Sequence, residues 1–189
     1  MTNHAKPSAA TLIKSAEQAI KTSRGLPPIH LWHPPLSGDL DMRIARDGQW
    51  YYQGSSINRI ALVRLFSTIL RREDDDYYLV TPVEKWRIQV DLAPFIAISL
   101  KVEHDARGQT LTFATNVGDS VIADAQHPLR VEVNPENDEP KPFVLVRNGL
   151  EALVSRNVFY QLVENAQERQ VNKRQVLGVE SAGQFFVLG

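Results

Sequence analysis

The chain has 189 residues, enough for one large domain or two small ones, and at that size folding removes about 70% of the unfolded surface from water. Hydrophobic residues at 43% and charged residues at 23% exclude wholesale disorder, and a net charge of −1 excludes the surplus of Lys and Arg that marks a dedicated nucleic-acid binder. With no cysteine, disulfides, thiolate catalysis and cysteine-ligated zinc or iron–sulfur clusters are excluded together.

In chain order, Ser8 caps a predicted helix running to about Thr22, with Leu12, Ala16, Ala19 and Ile20 on one stripe. Lys14, Glu17 and Lys21 interrupt that stripe, so the segment is not the apolar core of a signal peptide. No stretch approaches the roughly 20 apolar residues that span a bilayer, and a cytoplasmic protein is expected. Ile29–Pro35 has prolines on both sides and reads as a rigid covering segment.

From Asp39 the pattern has period two: Asp39, Asp41 and Arg43 on one face, Leu40, Met42 and Ile44 on the other. Asp47-Gly48 turns the strand into Gln49–Gln53, and Gly54-Ser55-Ser56 leads into a predicted helix from Ile57 to about Arg72. Glu73–Asp76 reads as a solvated loop, and Tyr77–Val80 and Trp86–Val90 as strands joined by the turn Thr81–Lys85. The middle is β-rich: Ile96–Val102 alternates, Thr110–Thr115 answers it, Asn116-Val117-Gly118-Asp119 turns, and Val121–Asp124 and Leu129–Val133 follow. Asn134–Pro142 is a polar loop with three prolines.

The second half then repeats the first. Phe143–Asn148 ends in Arg147-Asn148-Gly149 as the earlier strand ends in Arg46-Asp47-Gly48. Leu150–Val154 returns, Ser155-Arg156-Asn157 opens a helix over Val158–Gln167, and Gln175–Val179 with Phe185–Leu188 closes the copy. Gly48 to Ile57 and Gly149 to Val158 are both nine residues apart. The ordered series of hairpin, helix and hairpin predicts an α+β protein built on a structural duplication.

Chemistry is carried most plausibly by Asp39 and Asp41, which share a strand face and have the character of Mg²⁺ ligands, with Arg43 beside them as a bidentate phosphate partner. The plainer reading is an exposed face with an internal Asp–Arg ion pair. His30 and His33 flank Leu31-Trp32, but the prolines oppose a helix and zinc needs at least three protein ligands, so the segment is read as packing anchored by Trp32. His104 and His127 stand alone at strand ends. Thr81 and Glu84 sit at a hairpin tip beside Trp86 and Arg87, a setting for stacking a base and clamping a phosphate, or simply a surface turn. Asn116 and Asp119 belong to a Gly-containing turn that is either a backbone anion nest or an ordinary turn. No Walker A loop, Gly-x-Gly-x-x-Gly or Gly-x-Ser-x-Gly occurs.

Several runs are distinctive together: Ile29-His30-Leu31-Trp32-His33-Pro34-Pro35, Gly38–Gly48, Ala61-Leu62-Val63-Arg64-Leu65-Phe66, Leu79–Glu84, Thr115–Asp119 and Gly149–Leu153. Over roughly Pro27–Leu188 the chain resembles the bacterial domain-of-unknown-function family 1285. The resemblance implies a two-part fold with duplicated motifs, its C-terminal part a β-rich pleckstrin-homology-like half-barrel with a helix. It also implies a ligand site between the parts, for a nucleotide-like molecule, and a signalling role; it supplies no catalytic residue.

The expected organisation is an N-terminal helix (1–25), an N-terminal α+β subdomain (26–92) and a C-terminal β-rich subdomain (93–189). The expected function is binding, without catalysis, of a small anionic or nucleotide-like ligand between the subdomains through Asp39, Asp41, Arg43, Thr81, Glu84, Asn116 and Asp119. A Mg²⁺-dependent phosphoester hydrolase using Asp39 and Asp41, and a protein-interaction module, are the alternatives. Asp39, Asp41, Arg43 and Glu84 have no charged counterparts in the second copy apart from Glu180, so the first copy is expected to supply the chemistry. Cofactor, metal and oligomeric state are not indicated.

Overall fold

The computed structural model describes residues 9–21, 25–106, 108–133 and 139–189, and the chain divides into two compact units, Met1–Asp91 and Leu92–Gly189. In the first unit, helix α1 (Ala9–Lys21) buries Leu12, Ala16 and Ala19; Ser8 and Thr22, the expected ends of that helix, lie outside the described residues. A single 3₁₀ turn (Ile29–Leu31) then leads into β1 (Leu36–Ile44). β2 (Trp50–Tyr52) and the two-residue β3 (Ser55–Ser56) follow, then α2 (Ile60–Thr68), β4 (Leu70–Glu73), β5 (Asp76–Val80) and β6 (Lys85–Val90). The strands form one sheet in the order β3-β2-β1-β6-β5-β4, with β1 and β6 parallel and the other pairs antiparallel.

One face of that sheet is core. Leu40, Met42 and Ile44 of β1 alternate inward, joined by Trp50, Phe66, Ile69, Leu70, Leu79 and Ile88, all buried. Trp50 and Phe66 stack with ring centres 6.2 Å apart. α2 is shorter than the apolar run suggests: Ser55–Ser56 pair with β2, Ile60 is exposed, and Leu70–Arg72 belong to β4. The sheet edge recruits those last residues because a short strand pairs Leu70 with Leu79 and still buries its side chain. Glu73 and Asp76 are accordingly a cross-strand pair around a tight turn at Asp74, φ +53°, rather than a loop.

In the second unit, β7 (Phe95–Asp105), β8 (Gly108–Thr115) and β9 (Ser120–Ile122) form a meander. β10 (Leu129–Val133), β11 (Pro140–Arg147) and β12 (Leu150–Val154) complete a curled half-barrel sheet in the order β10-β11-β12-β7-β8-β9. β7 does not alternate cleanly. Its register slips between Ala97 and Ser99, which leaves Phe95, Ile96 and Ala97 buried and puts Ile98 outside. α3 (Arg156–Glu164) follows, and then β13 (Gln167–Val171), β14 (Arg174–Ser181) and β15 (Gln184–Val187) in a three-stranded sheet. The expected helix to Gln167 ends early, and β13 is a strand that the polar run Gln-Glu-Arg-Gln conceals.

The duplication is present: hairpin β1–β2, helix α2 and meander β4–β6 recur as β11–β12, α3 and β13–β15. The copies close differently. In the first, β6 returns parallel to β1; in the second, β12 instead takes β7 as its parallel neighbour, and the meander forms a separate sheet. That sheet is tied to β8 by Leu111 N–H donating to Ser181 Oγ at 2.9 Å and Gln109 Nε2 donating to the Glu180 carbonyl at 2.7 Å. Among the described residues, no helix is long and apolar enough to cross a membrane.

Gly178 is the tightest backbone approach. A Cβ there would meet the Phe186 carbonyl oxygen at 2.5 Å and the Phe185 ring at 2.5 Å. Gly178→Ala is expected to lower stability by about 1–3 kcal/mol, as overpacking does, read as a lower denaturation midpoint. An unchanged midpoint would refute this packing.

Candidate functional site

The opposite face of the first sheet is polar, and its order is set by the same alternation that makes the core. Asp39, Asp41 and Arg43 on β1 point to it, as do Lys85, Arg87 and Gln89 on β6, Tyr78 on β5 and Arg71 and Glu73 on β4. Asp39 lies opposite Arg87, Arg87 opposite Tyr78, and Tyr78 opposite Arg71, giving one row across four strands.

The β1–β6 pairing is irregular on both sides of Asp39. Leu36 faces Lys85 and Gly38 faces Trp86, so Ser37 is an extra residue, and its hydroxyl accepts from Lys85 N–H at 3.2 Å. Gly38 takes φ +136° with the Trp86 ring 3.2 Å from where a Cβ would be, a backbone and a gap that only glycine suits. Beyond Asp39, β1 spends Leu40, Asp41 and Met42 where β6 spends Ile88 alone. The strands splay at this bulge into an open cleft of about 410 Å³ lined by Asp39, Leu40, Asp41, Met42, Arg87, Ile88 and Gln89. Bulges of this kind re-aim side chains beside functional sites.

The cations of this face differ in how fully they are engaged. Arg43 makes a forked contact with Asp91, Nε to Oδ1 at 2.8 Å and Nη2 to Oδ2 at 2.5 Å, and not with Asp39 or Asp41. That contact holds the Asp91 carboxyl below its ordinary range and firms the charge on Arg43. Lys85 donates to Glu73 at 2.9 Å and lies 4.8 Å over the Tyr78 ring; its bond, with Arg71 adding to it, lowers the Glu73 carboxyl. Arg71 bonds Glu73 at 2.7 Å and reaches across the sheet to the carbonyls of Ile29 and Trp32, at 3.0 and 2.7 Å. The proline-bounded segment is therefore anchored by its backbone on Arg71 and by buried Ile29, while Trp32 is half-buried.

Arg87 is different. Its Nε, like that of Arg71, is buried without a hydrogen-bond partner, but where Arg71 reaches Glu73 at 2.7 Å, Arg87 stands 3.6 Å from Asp39 and 4.0 Å from Asp76, beyond hydrogen-bond reach. The two carboxylates, Asp76 above all, keep the guanidinium firmly charged, and it lies 5.9 Å over the Tyr78 ring.

The other expected residues have local structural work. The buried Thr81 hydroxyl accepts from Glu84 N–H at 3.2 Å and closes the β5–β6 turn. Glu84 Oε2 accepts from the Trp86 indole at 2.8 Å, and its Oε1 is buried without a partner. Asn116 and Asp119 belong to the second unit. Asn116 Oδ1 accepts from Ile96 N–H at 3.0 Å, and Asp119 pairs with Arg147, whose guanidinium is 4.8 Å over Phe95. The N–H groups of Asn116, Gly118 and Asp119 donate to Ile96, Thr115 and the Thr115 hydroxyl, so the turn spends them on itself and presents no anion nest. Among the described residues, no group of three or more His, Asp or Glu is placed to hold a metal ion. Of the site residues expected from sequence, Asp39 and Asp41 share the cleft; Arg87, named from sequence only as a neighbour of the hairpin tip, and Gln89 join them, and Lys85, Arg87 and Gln89 show the same period-two signal on β6.

Two family models match, one described as "Domain of unknown function (DUF1285), N-terminal domain" over residues 27–93 and the other as "Protein of unknown function (DUF1285), C-terminal domain" over 94–188. Among solved structures, a DUF1285 family protein from Silicibacter pomeroyi DSS-3 is 51% identical with a TM-score of 0.84, covering 94% of this chain and 93% of that one. A DUF1285 family protein from Shewanella baltica OS155 is 26% identical with a TM-score of 0.52, covering 66% of this chain and 91% of that one. No curated protein matches.

The lowered carboxyls of Asp91 and Glu73 predict a pH dependence. Their folded pKa values lie below the unfolded ones, so their stabilisation is complete above the ordinary carboxylate range and is lost as pH falls through that range and then through the lowered folded values. In thermal melts taken from neutral pH into acid, the Asp91→Asn, Glu73→Gln double variant should show a shallower acid fall than the parent chain. Parallel curves would remove both pairs from the account.

Proposed function

The chain belongs to the DUF1285 family, and from that premise we propose that it is a binding protein that takes a small anionic, nucleotide-like ligand in the cleft at the β1–β6 bulge. The observation that carries this reading is Arg87. Arg43, Lys85 and Arg71 each donate to a carboxylate at 2.9 Å or less, whereas Arg87 stands at the cleft with its nearest carboxylates, Asp39 and Asp76, 3.6 and 4.0 Å away. A ligand phosphate or carboxylate is the natural acceptor for a guanidinium so placed.

Asp39 and Asp41 set a second requirement. Two carboxylates repel a bare anion, so the ligand brings hydroxyl or amine hydrogens for them to accept. Phosphorylated sugars and nucleotides combine an anionic end with such donors. A cleft of about 410 Å³ falls within the roughly 300–1,000 Å³ of small-molecule sites.

A thermal-shift panel of nucleotides and phosphorylated sugars tests the reading. A ligand at about 100 times its dissociation constant adds about 2.7 kcal/mol, or roughly 5–11 °C in a chain of this size. Arg87→Met should abolish the shift and leave the ligand-free midpoint within about 2 °C, as an exposed-face substitution does. No shift from any member of the panel at millimolar concentration would end the proposal.

A second reading rests on Asp39 and Asp41 facing the same cleft as Arg87. Two carboxylates can hold Mg²⁺ together with substrate phosphate oxygens, and Arg87 would then neutralise charge on the transferred group. On this reading a Mg²⁺-dependent phosphoesterase activity is present and is lost in the Asp39→Asn, Asp41→Asn double variant. Activity that survives the double substitution would exclude it.

A further inference from the structure

The two copies of the repeat end their first meander hairpin in turns of opposite charge. In the first copy the β4–β5 turn is Asp74-Asp75, with Asp74 at φ +53°, flanked by Arg72, Glu73 and Asp76. In the second the β13–β14 turn is Asn172-Lys173, at φ +50° and +65°, followed by Arg174. The turns occupy equivalent places, so the charge difference belongs to the sequence and not to the fold.

Both tips are open to solvent. Asp75 is fully exposed, with only a loose 3.6 Å contact to Arg72. Lys173 and Arg174 are exposed and make no ion pair or side-chain hydrogen bond among the described residues. The β13–β14 arm is also exposed on both faces: Gln167–Gln170 and Asn172–Gln175 all face water, although the ladder beneath is regular. β4 and β13 are each the last strand of their sheet, where a further strand or turn can dock.

We infer that the β13–β14 arm is a docking element for the acidic β4–β5 tip of a second copy of this chain, giving a weak, charge-steered, head-to-tail association. Charge complementarity between the two tips selects a second copy as the occupant. Exposed ion pairs are individually weak and are screened by salt, so the association shows at high protein concentration and low ionic strength. The inference is independent of the ligand-binding cleft, since neither tip lines it.

Sedimentation velocity on the full chain tests it, at about 0.01 M salt, where charges act over roughly 30 Å, and at about 1 M, where they act over roughly 3 Å. The expected result is a sedimentation coefficient that rises with concentration at low salt and is flat at high salt. Lys173→Glu with Arg174→Glu should weaken the association about tenfold or more, as should Asp74→Asn with Asp75→Lys, each with an unchanged thermal midpoint. Mixing the two variants pairs an acidic tip with a basic one and should restore association. A monomer at every low-salt concentration, association surviving either reversal, or a mixture that stays monomeric would each overturn the proposal. Loss on the basic reversal alone would likewise overturn it, and would point to a different acidic patch of this chain.

Discussion

The first unit depends on what β1 must do at once. Its Leu40, Met42 and Ile44 belong to the core under α2, while Asp39, Asp41 and Arg43 on the alternate positions face water, so the strand cannot slip by one residue without burying carboxylates. It also lies between β2 and β6, antiparallel to one and parallel to the other. The parallel partner arrives only after a helix and four further strands, and the register is made up by extra residues in β1 at Ser37 and at Leu40–Met42. The bulge beyond Asp39 separates the strands where the cleft lies.

Placing that many charges on one sheet face requires them to be matched. Glu73 accepts from both Arg71 and Lys85, Asp91 from Arg43, and the Tyr78 ring lies beneath Lys85 and Arg87. Arg71 additionally fixes the proline-bounded segment over the sheet by two backbone carbonyls. The guanidinium of Arg87 is held more loosely, with Asp39 at 3.6 Å and Asp76 at 4.0 Å. Arg43, Lys85 and Arg71 each reach a carboxylate at 2.9 Å or less, and that contrast gives Arg87 its weight.

The second unit shows the same plan put to another end. Its hairpin, helix and meander match those of the first unit, yet its meander forms a sheet of its own and β12 pairs with β7. Asn116 and Asp119, expected to bind the ligand from this unit, are engaged by the β8–β9 turn and by Arg147. Duplication preserved the elements because each buries an apolar face, and left the polar faces free to diverge. The opposite charges of the two meander tips are the same divergence at the surface.

The sequence by itself determined the elements whose pattern is local. Alternation in β1, the Asp47-Gly48 and Asn148-Gly149 turns, the two-part repeat and the exposure of Asp39 and Asp41 all follow from side-chain period and turn chemistry. It misjudged residues where local preference and sheet pairing disagree: Leu70–Arg72 and Gln167 extend helical runs by composition, but edge pairing claims them for β4 and β13. Tertiary structure alone decided who pairs with whom. Arg43 binds Asp91, 48 residues away, rather than its neighbours on β1, and Arg87 meets Asp39 only because β6 returns parallel to β1. An exposed charge carries no periodic signal naming its partner, and the residue count of a bulge follows from the register of two distant strands, so the cleft is a property of the folded sheet.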